Sequence, residues 1–165
     1  DDFLARDDVV RGIGHLGRFG LAYDILIRSH QLPSALELVS RLPNQRFVLD
    51  HLAKPRIREG VVEPWATHIR DLALRPNVHC KVSGLVTEAH WTDWRAEELR
   101  PYLDVVLEAF GVERVMFGSD WPVCLLAAEY GRVLRVAEEY TAALSAGDRA
   151  AFFGGNAARF YGLGR

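Results

Sequence analysis

Four short apolar runs punctuate the chain, at 21–27, 46–50, 77–82 and 114–118. Each carries few turn-forming residues inside it, the pattern of strands buried in a parallel sheet. Between them the apolar spacing lengthens to a helical period. Residues 33–42 place Leu36, Val39 and Leu42 on one face, with Pro33 in the first turn and Pro43-Asn44 as the stop. Residues 64–74 turn Trp65, Ile69, Leu72 and Ala73 inward, and Pro76 ends that segment. Leu99, Tyr102, Leu103, Val106, Leu107 and Phe110 recur at the intervals of one helix face, closed by Gly111. A further helix is predicted over 125–144, a short one over 148–153, and a last helical stretch toward Tyr161.

The order is a helix, then strand and helix in alternation, then an extra helix at the C-terminal end. Strand starts fall roughly 24–37 residues apart, the size of a βα unit. Such alternation predicts an α/β fold, a parallel sheet with helices outside it. No Ser/Gly linker or low-complexity stretch divides residues 1–165, so they read as a single domain. An open doubly wound sheet and a (β/α)8 barrel both satisfy the alternation. A whole barrel needs roughly 250 residues. With 165, a barrel chain would be its C-terminal part. The absence of an initiating Met agrees with a start inside a longer chain.

Composition narrows the classes. No apolar run approaches the ~18 residues of a membrane span. The acidic stretch 1–8 has no apolar core of a signal peptide, so the cytoplasm is the expected location. A net charge of -2 with no long basic block argues against nucleic acid as partner. Cys80 and Cys124 form no CxxC and are expected as reduced, buried thiols.

Polar residues gather where the predicted strands end. Arg28, Ser29 and His30 follow the first strand, and Asp50-His51 closes the second. Lys81, Ser83 and Gly84 close the third, and Gly118-Ser119-Asp120-Trp121-Pro122 closes the last. In parallel α/β folds this edge carries the active site. Bland readings stand beside each. Asp120 could cap a turn. His51 could be a core histidine bonded to Asp50, which would orient its ring or cap the strand. Lys81 could snorkel out of the sheet. His79 reads as structural, and His15, His68 and His90 as surface residues. Gly12-Ile13-Gly14-His15-Leu16-Gly17 fits GxGxxG, but no strand precedes it and no helix fits before the next strand, so it reads as a chance match. No GxSxG elbow supports a serine hydrolase.

The segments Phe47-Val48-Leu49-Asp50-His51-Leu52-Ala53-Lys54-Pro55, Asn77-Val78-His79-Cys80-Lys81-Val82-Ser83-Gly84-Leu85, Phe117-Gly118-Ser119-Asp120-Trp121-Pro122-Val123 and Gly155-Asn156-Ala157-Ala158-Arg159-Phe160-Tyr161 resemble the amidohydrolase-related lactonases. That group includes L-fuconolactonase, L-rhamnono-lactonase and 2-pyrone-4,6-dicarboxylate lactonase. The resemblance runs over nearly the whole chain, in order and spacing. It implies the C-terminal part of a (β/α)8 barrel of the metal-dependent-hydrolase type that opens a lactone, a sugar-acid lactone being the expected substrate. It makes Asp120 the residue that activates water and His51 a contact to the substrate carbonyl. It places Lys81, Trp121, His30 and Tyr23 at substrate contacts. A carboxylate base with donors for the developing oxyanion suits ester chemistry.

One departure stands out. The family's first strand carries a His-x-His pair, and this sequence contains none. Since the lactonase branch resembles enzymes that work without metal, no cofactor is expected to be required, with a divalent ion left open in the complete enzyme. His51 and Asp120 alone fall short of the three protein ligands usual in catalytic zinc sites. Two alternatives stay open: a metal-dependent decarboxylase of the same superfamily, and a truncated barrel without catalysis. No membrane partner is expected. An open barrel would expose sheet edges, so self-association, including a homo-oligomer, is compatible with the sequence.

Overall fold

Each apolar run yields a strand shorter than the run itself. The computed structural model describes residues 2–164. Strands β1 (Tyr23–Ile25), β2 (Phe47–Leu49), β3 (Val78–Val82) and β4 (Val115–Phe117) form one parallel sheet in the order β1-β2-β3-β4. Helix α1 (Asp7–Gly14) precedes β1, and α2 (Leu32–Arg41) and α3 (Trp65–Ala73) link the first three strands. A short α4 (Leu85–Glu88) and the long α5 (Ala96–Phe110) link β3 to β4. Helices α6 (Tyr130–Tyr140), α7 (Ala146–Ala150) and α8 (Asn156–Tyr161) follow. Sequential parallel strands joined by helices make an arc of a (β/α)8 barrel rather than a doubly wound sheet, whose strand order would reverse.

The period of two along the strands divides the core. Ile25, Phe47, Leu49, Val78, Cys80, Val82 and Val115 join the large cluster shared with α2, α3 and α5. Val48 and Met116 point to the other face and meet Phe160 of α8. His79 shares that face, its ring 4.7 Å from Phe160. Burying both faces accounts for the apolar strands.

Polar side chains stitch the N-terminal ends of the strands. The buried Gln45 amide donates to the Leu21 and Arg46 carbonyls at 2.9 and 3.0 Å. Asn77 donates to Gln45 O at 2.8 Å, and Arg114 to Arg75 O and Val78 O at 3.2 Å each. Asn156 spans Val112 O and Val115 O at 2.7 and 2.6 Å. These bonds tie neighbouring strand starts together, some as a second bond to a carbonyl that already accepts from backbone, as at Arg46 O and Arg75 O. They leave the C-terminal edge to other uses.

Several sequence expectations are corrected in detail. The buried face of α2 is Leu32, Ala35, Leu38 and Val39, with Leu36 and Leu42 only partly covered. The helix predicted over 125–144 begins at Tyr130. Its earlier residues form a 3-10 turn, Val123–Leu126, drawn back to the β4 loop by Cys124 N–H donating to Asp120 O at 2.8 Å. The predicted 148–153 helix starts earlier, at Ala146, because Ser145 Oγ accepts from Asp148 N–H and caps it. His68 is half-buried rather than surface, with a buried Nδ1 that has no hydrogen-bond partner. Gly12 and Gly14 lie inside α1, so the GxGxxG match is indeed without a preceding strand. Both cysteines are free and buried. No described helix is long and apolar enough to cross a membrane.

Candidate functional site

After β2 the backbone turns the wrong way for L-residues. His51, Leu52, Ala53 and Lys54 have φ of 52°, 52°, 57° and 50°. A left-handed turn costs roughly 1–2 kcal/mol per non-glycine residue, so its surroundings must enforce it. Leu52 and Ala53 are fully buried. Lys54 N–H closes the turn on His51 O at 2.7 Å, and the buried Trp65 Nε1 donates to Leu52 O at 2.7 Å. The turn aims the His51 ring across the strand ends toward β3 and β4.

There the ring is fixed on its two nitrogens differently. Nδ1 lies 2.7 Å from the buried Ser83 Oγ, whereas Nε2 lies 3.7 Å from Asp120 Oδ1. The second separation is too long for a hydrogen bond. Ser83 Oγ can give or take the proton in the Nδ1 contact, so the serine fixes the plane of the ring while Nε2 faces the Asp120 carboxylate. Gly84 closes the back of the ring: a Cβ there would stand 2.9 Å from the ring atoms, and its φ is +68°. Asp120 is itself in the left-handed region, at φ 58°. Both side chains are mostly shielded, at 18% and 13% exposure for His51 and Asp120.

The remaining predicted residues divide. Lys81 lies on the inner face, with Nζ 2.6 Å from Asp50 Oδ1 and 3.0 Å from Asp24 Oδ2. Burial alone would lower its pKa, but the two carboxylates outweigh burial and hold the ammonium well above the usual lysine range. Tyr161 OH donates to the same Asp24 Oδ2 at 2.8 Å; burial and that bond push its phenol up to about 12. Asp50 thus serves Lys81, and the expected Asp50–His51 bond is replaced by Ser83. Trp121 is exposed beside Asp120, its N–H donating to Ser119 Oγ at 3.2 Å. His30 is exposed and lines a pocket with Arg28 and Lys54. Tyr23 packs edge-on against Phe47 within the cluster that the helices cover, and the structure does not bring it to the pair. Ser83 and Asp24 are the partners sequence reasoning assigned no role. Ser83 carried a signal, two residues beyond Lys81 at a strand end; Asp24 sits inside a strand and carried none.

The donor set bears on metal chemistry. Two ligands of one tetrahedral zinc, each ~2.1 Å from it, lie about 3.4 Å apart, close to the observed His51–Asp120 separation of 3.7 Å. Nε2 faces Asp120 while Nδ1 is held by a neighbour, the usual arrangement of a metal-binding histidine. Among the described residues no three His, Cys, Asp or Glu converge to hold an ion. The pair fits part of a metal site.

Comparisons with known proteins agree. The sequence matches the Amidohydrolase family over residues 1–163. It is 43% identical to a Burkholderia multivorans protein named L-fucono-1,5-lactonase, over 98% of this chain and 58% of that protein. The chain thus spans less than two thirds of this relative's length. A Burkholderia multivorans amidohydrolase crystallised with bound zinc superposes with a TM-score of 0.92 at 44% identity, covering 98% of this chain and 60% of the other. A structure from Pseudomonas putida described as a putative 2-pyrone-4,6-dicarboxylic acid hydrolase superposes at 0.79 and 26% identity, covering 100% and 60%. The zinc in the Burkholderia structure overturns the expectation that no cofactor is required. The strand order, the converging pair at the C-terminal edge and the match over 1–163 establish that this chain belongs to the Amidohydrolase family.

Proposed function

We propose that His51 and Asp120 are one side of a hydrolytic centre that opens a lactone ring. The observation that carries this reading is their convergence, Nε2 to Oδ1 at 3.7 Å, at the strand edge where barrel enzymes work. The 43% identity to an L-fucono-1,5-lactonase supports a sugar-acid lactone as substrate.

Asp120 accepts a proton from the attacking water and later returns it to the leaving ring oxygen. Its shielding from bulk solvent keeps that carboxylate close to the water it must orient. Ser83 holds the His51 ring so that Nε2 stands beside Asp120. His51 and Asp120 would be this chain's ligands to a zinc ion, which when bound lowers the pKa of water and polarises a carbonyl. Exposed Trp121 offers an apolar face to the substrate ring, and His30 lies across the same edge. Lys81 bridges Asp50 and Asp24 beside the centre and offsets one of their two charges. With two donors of its own, the chain alone is expected to give no turnover.

The test is ring opening of L-fucono-1,5-lactone, followed with a pH indicator. The chain is joined to the part of the Burkholderia multivorans relative that the match leaves uncovered. Asp120→Asn should cut kcat by at least about a hundredfold with an unchanged circular dichroism spectrum. Near-normal activity of that variant would remove Asp120 as the base.

A further inference from the structure

A pocket of about 670 Å³ opens at the same strand edge as the His51–Asp120 pair. Arg28, Lys54, Arg56 and Arg58 line it against Glu59 and Glu88. The charges do not cancel. Arg56 is taken by Glu59 in an ion pair. Arg58 is positioned by the Ala89 carbonyl at 3.2 Å and by the face of Trp91, with its centre 5.9 Å from the ring. Neither contact offsets its charge. Arg28 and Lys54 have no carboxylate partner among the described residues. Three cations therefore face one unpaired carboxylate, Glu88, in a chain whose net charge is -2. A concave wall with an excess of one sign concentrates its field on whatever enters.

The pocket is tied to the pair from both sides. Lys54 ends the left-handed turn that His51 begins. Val123 lines the pocket and starts the turn that Cys124 closes on Asp120 O. The half-exposed indole of Trp91, which Arg58 overlies, adds apolar surface together with Val123 and Leu126. Guanidinium groups beside a flat apolar wall suit a small organic acid: the carboxylate meets the forked donors, and the carbon skeleton lies on the indole.

We propose that this pocket is a carboxylate subsite serving the His51–Asp120 centre. The inference rests on the lactonase reading for its place in the reaction, though not for the binding itself. Lactone hydrolysis adds water across the acyl C–O bond and breaks it. A hydroxyl forms on the former ring oxygen, and the new carboxylic acid loses its proton to solvent. The carboxylate held in the pocket is either this new one or one that the lactone already carries.

Calorimetric titration of the chain at low salt tests it, with gluconate, citrate and uncharged sorbitol as probes. Gluconate should bind at least tenfold more tightly than sorbitol. Arg28→Gln and Lys54→Gln should each weaken it about tenfold, or ~1.4 kcal/mol. Arg135→Gln, on an exposed position of α6 outside the pocket, should leave it unchanged. Citrate binding more tightly than gluconate by over about tenfold assigns the subsite to a carboxylate carried by the substrate. Equal or weaker citrate binding assigns it to the carboxylate made by ring opening. The proposal falls if neither anion binds better than sorbitol, or if Arg28→Gln and Lys54→Gln bind as the unaltered chain does. Such a failure with ring opening intact would remove the subsite and leave the centre standing, whereas failure of the Asp120 test would remove the centre.

Discussion

Ser83 Oγ stands 2.7 Å from His51 Nδ1, and this one contact fixes the plane of the imidazole. Without it the ring would keep only the longer approach of Nε2 to Asp120, at 3.7 Å, because Asp50 is engaged with Lys81. Ser83→Ala should therefore leave the fold intact and release the ring. The direct readout is the pair of His51 ring 15N shifts, which separate the two neutral tautomers. The unaltered chain should show one sharp set of ring shifts, and Ser83→Ala a shifted or broadened set. In the completed enzyme, loss of such a supporting bond costs about 10- to 100-fold in activity or metal affinity. The effect should fall on kcat rather than KM, which a general loosening of the site would not reproduce.

Gly84 is the second constraint on the same ring. An alanine there must adopt a φ of +68° and also place its Cβ 2.9 Å from the imidazole. Gly60 has a similar φ, +64°, with nothing near its missing Cβ. Gly60→Ala should cost roughly 1 kcal/mol, from the backbone alone. Gly84→Ala should cost clearly more, about 2–3 kcal/mol, because steric overlap adds to it. Urea unfolding of the two variants checks this, and equal losses would mean that the ring moves aside freely.

Acid sensitivity should trace to His79. Burial first, then the nearby Arg114 and Arg159 charges, lower its pKa to about 4. Its Nδ1 is buried without a hydrogen-bond partner. The unfolded chain binds this proton near pH 6.5, so between about 6.5 and 4 it holds more protons than the folded chain. Stability must then fall as pH drops through that window and level off below it. Replacing His79 with Gln should flatten the dependence of the urea midpoint between pH 7 and 5. An unchanged slope in His79→Gln would move the sensitivity elsewhere.

Much of the architecture was legible because it rests on periodicity. The α5 stripe from Leu99 to Phe110 and the buried Trp65, Ile69 and Leu72 of α3 are where their spacing put them. The polar strand ends were legible because parallel sheets expose that edge to variation, and His51 and Asp120, both read from it, do converge. Backbone conformation was not legible. Nothing in His51-Leu52-Ala53-Lys54 announces a left-handed turn, since no glycine marks it; tertiary contacts from Trp65 and the buried Leu52 impose it. Side-chain partners were equally hidden. Asp50 is next to His51 in sequence, yet it projects to Lys81, while the ring finds Ser83 on the neighbouring strand. The metal expectation failed for a related reason. A count of ligands within one chain says little when the chain covers 60% of the zinc-bound structure it resembles.

The central claim is that His51 and Asp120 act as one unit. A double-mutant cycle in the chain completed by the Burkholderia multivorans segment tests it most directly, with kcat/KM for L-fucono-1,5-lactone measured for His51→Asn, Asp120→Asn and the pair. Residues of one catalytic unit are strongly non-additive. The double variant should be no slower than the slower single variant, within about threefold. Losses that multiply would show two independent contributions and contradict the account.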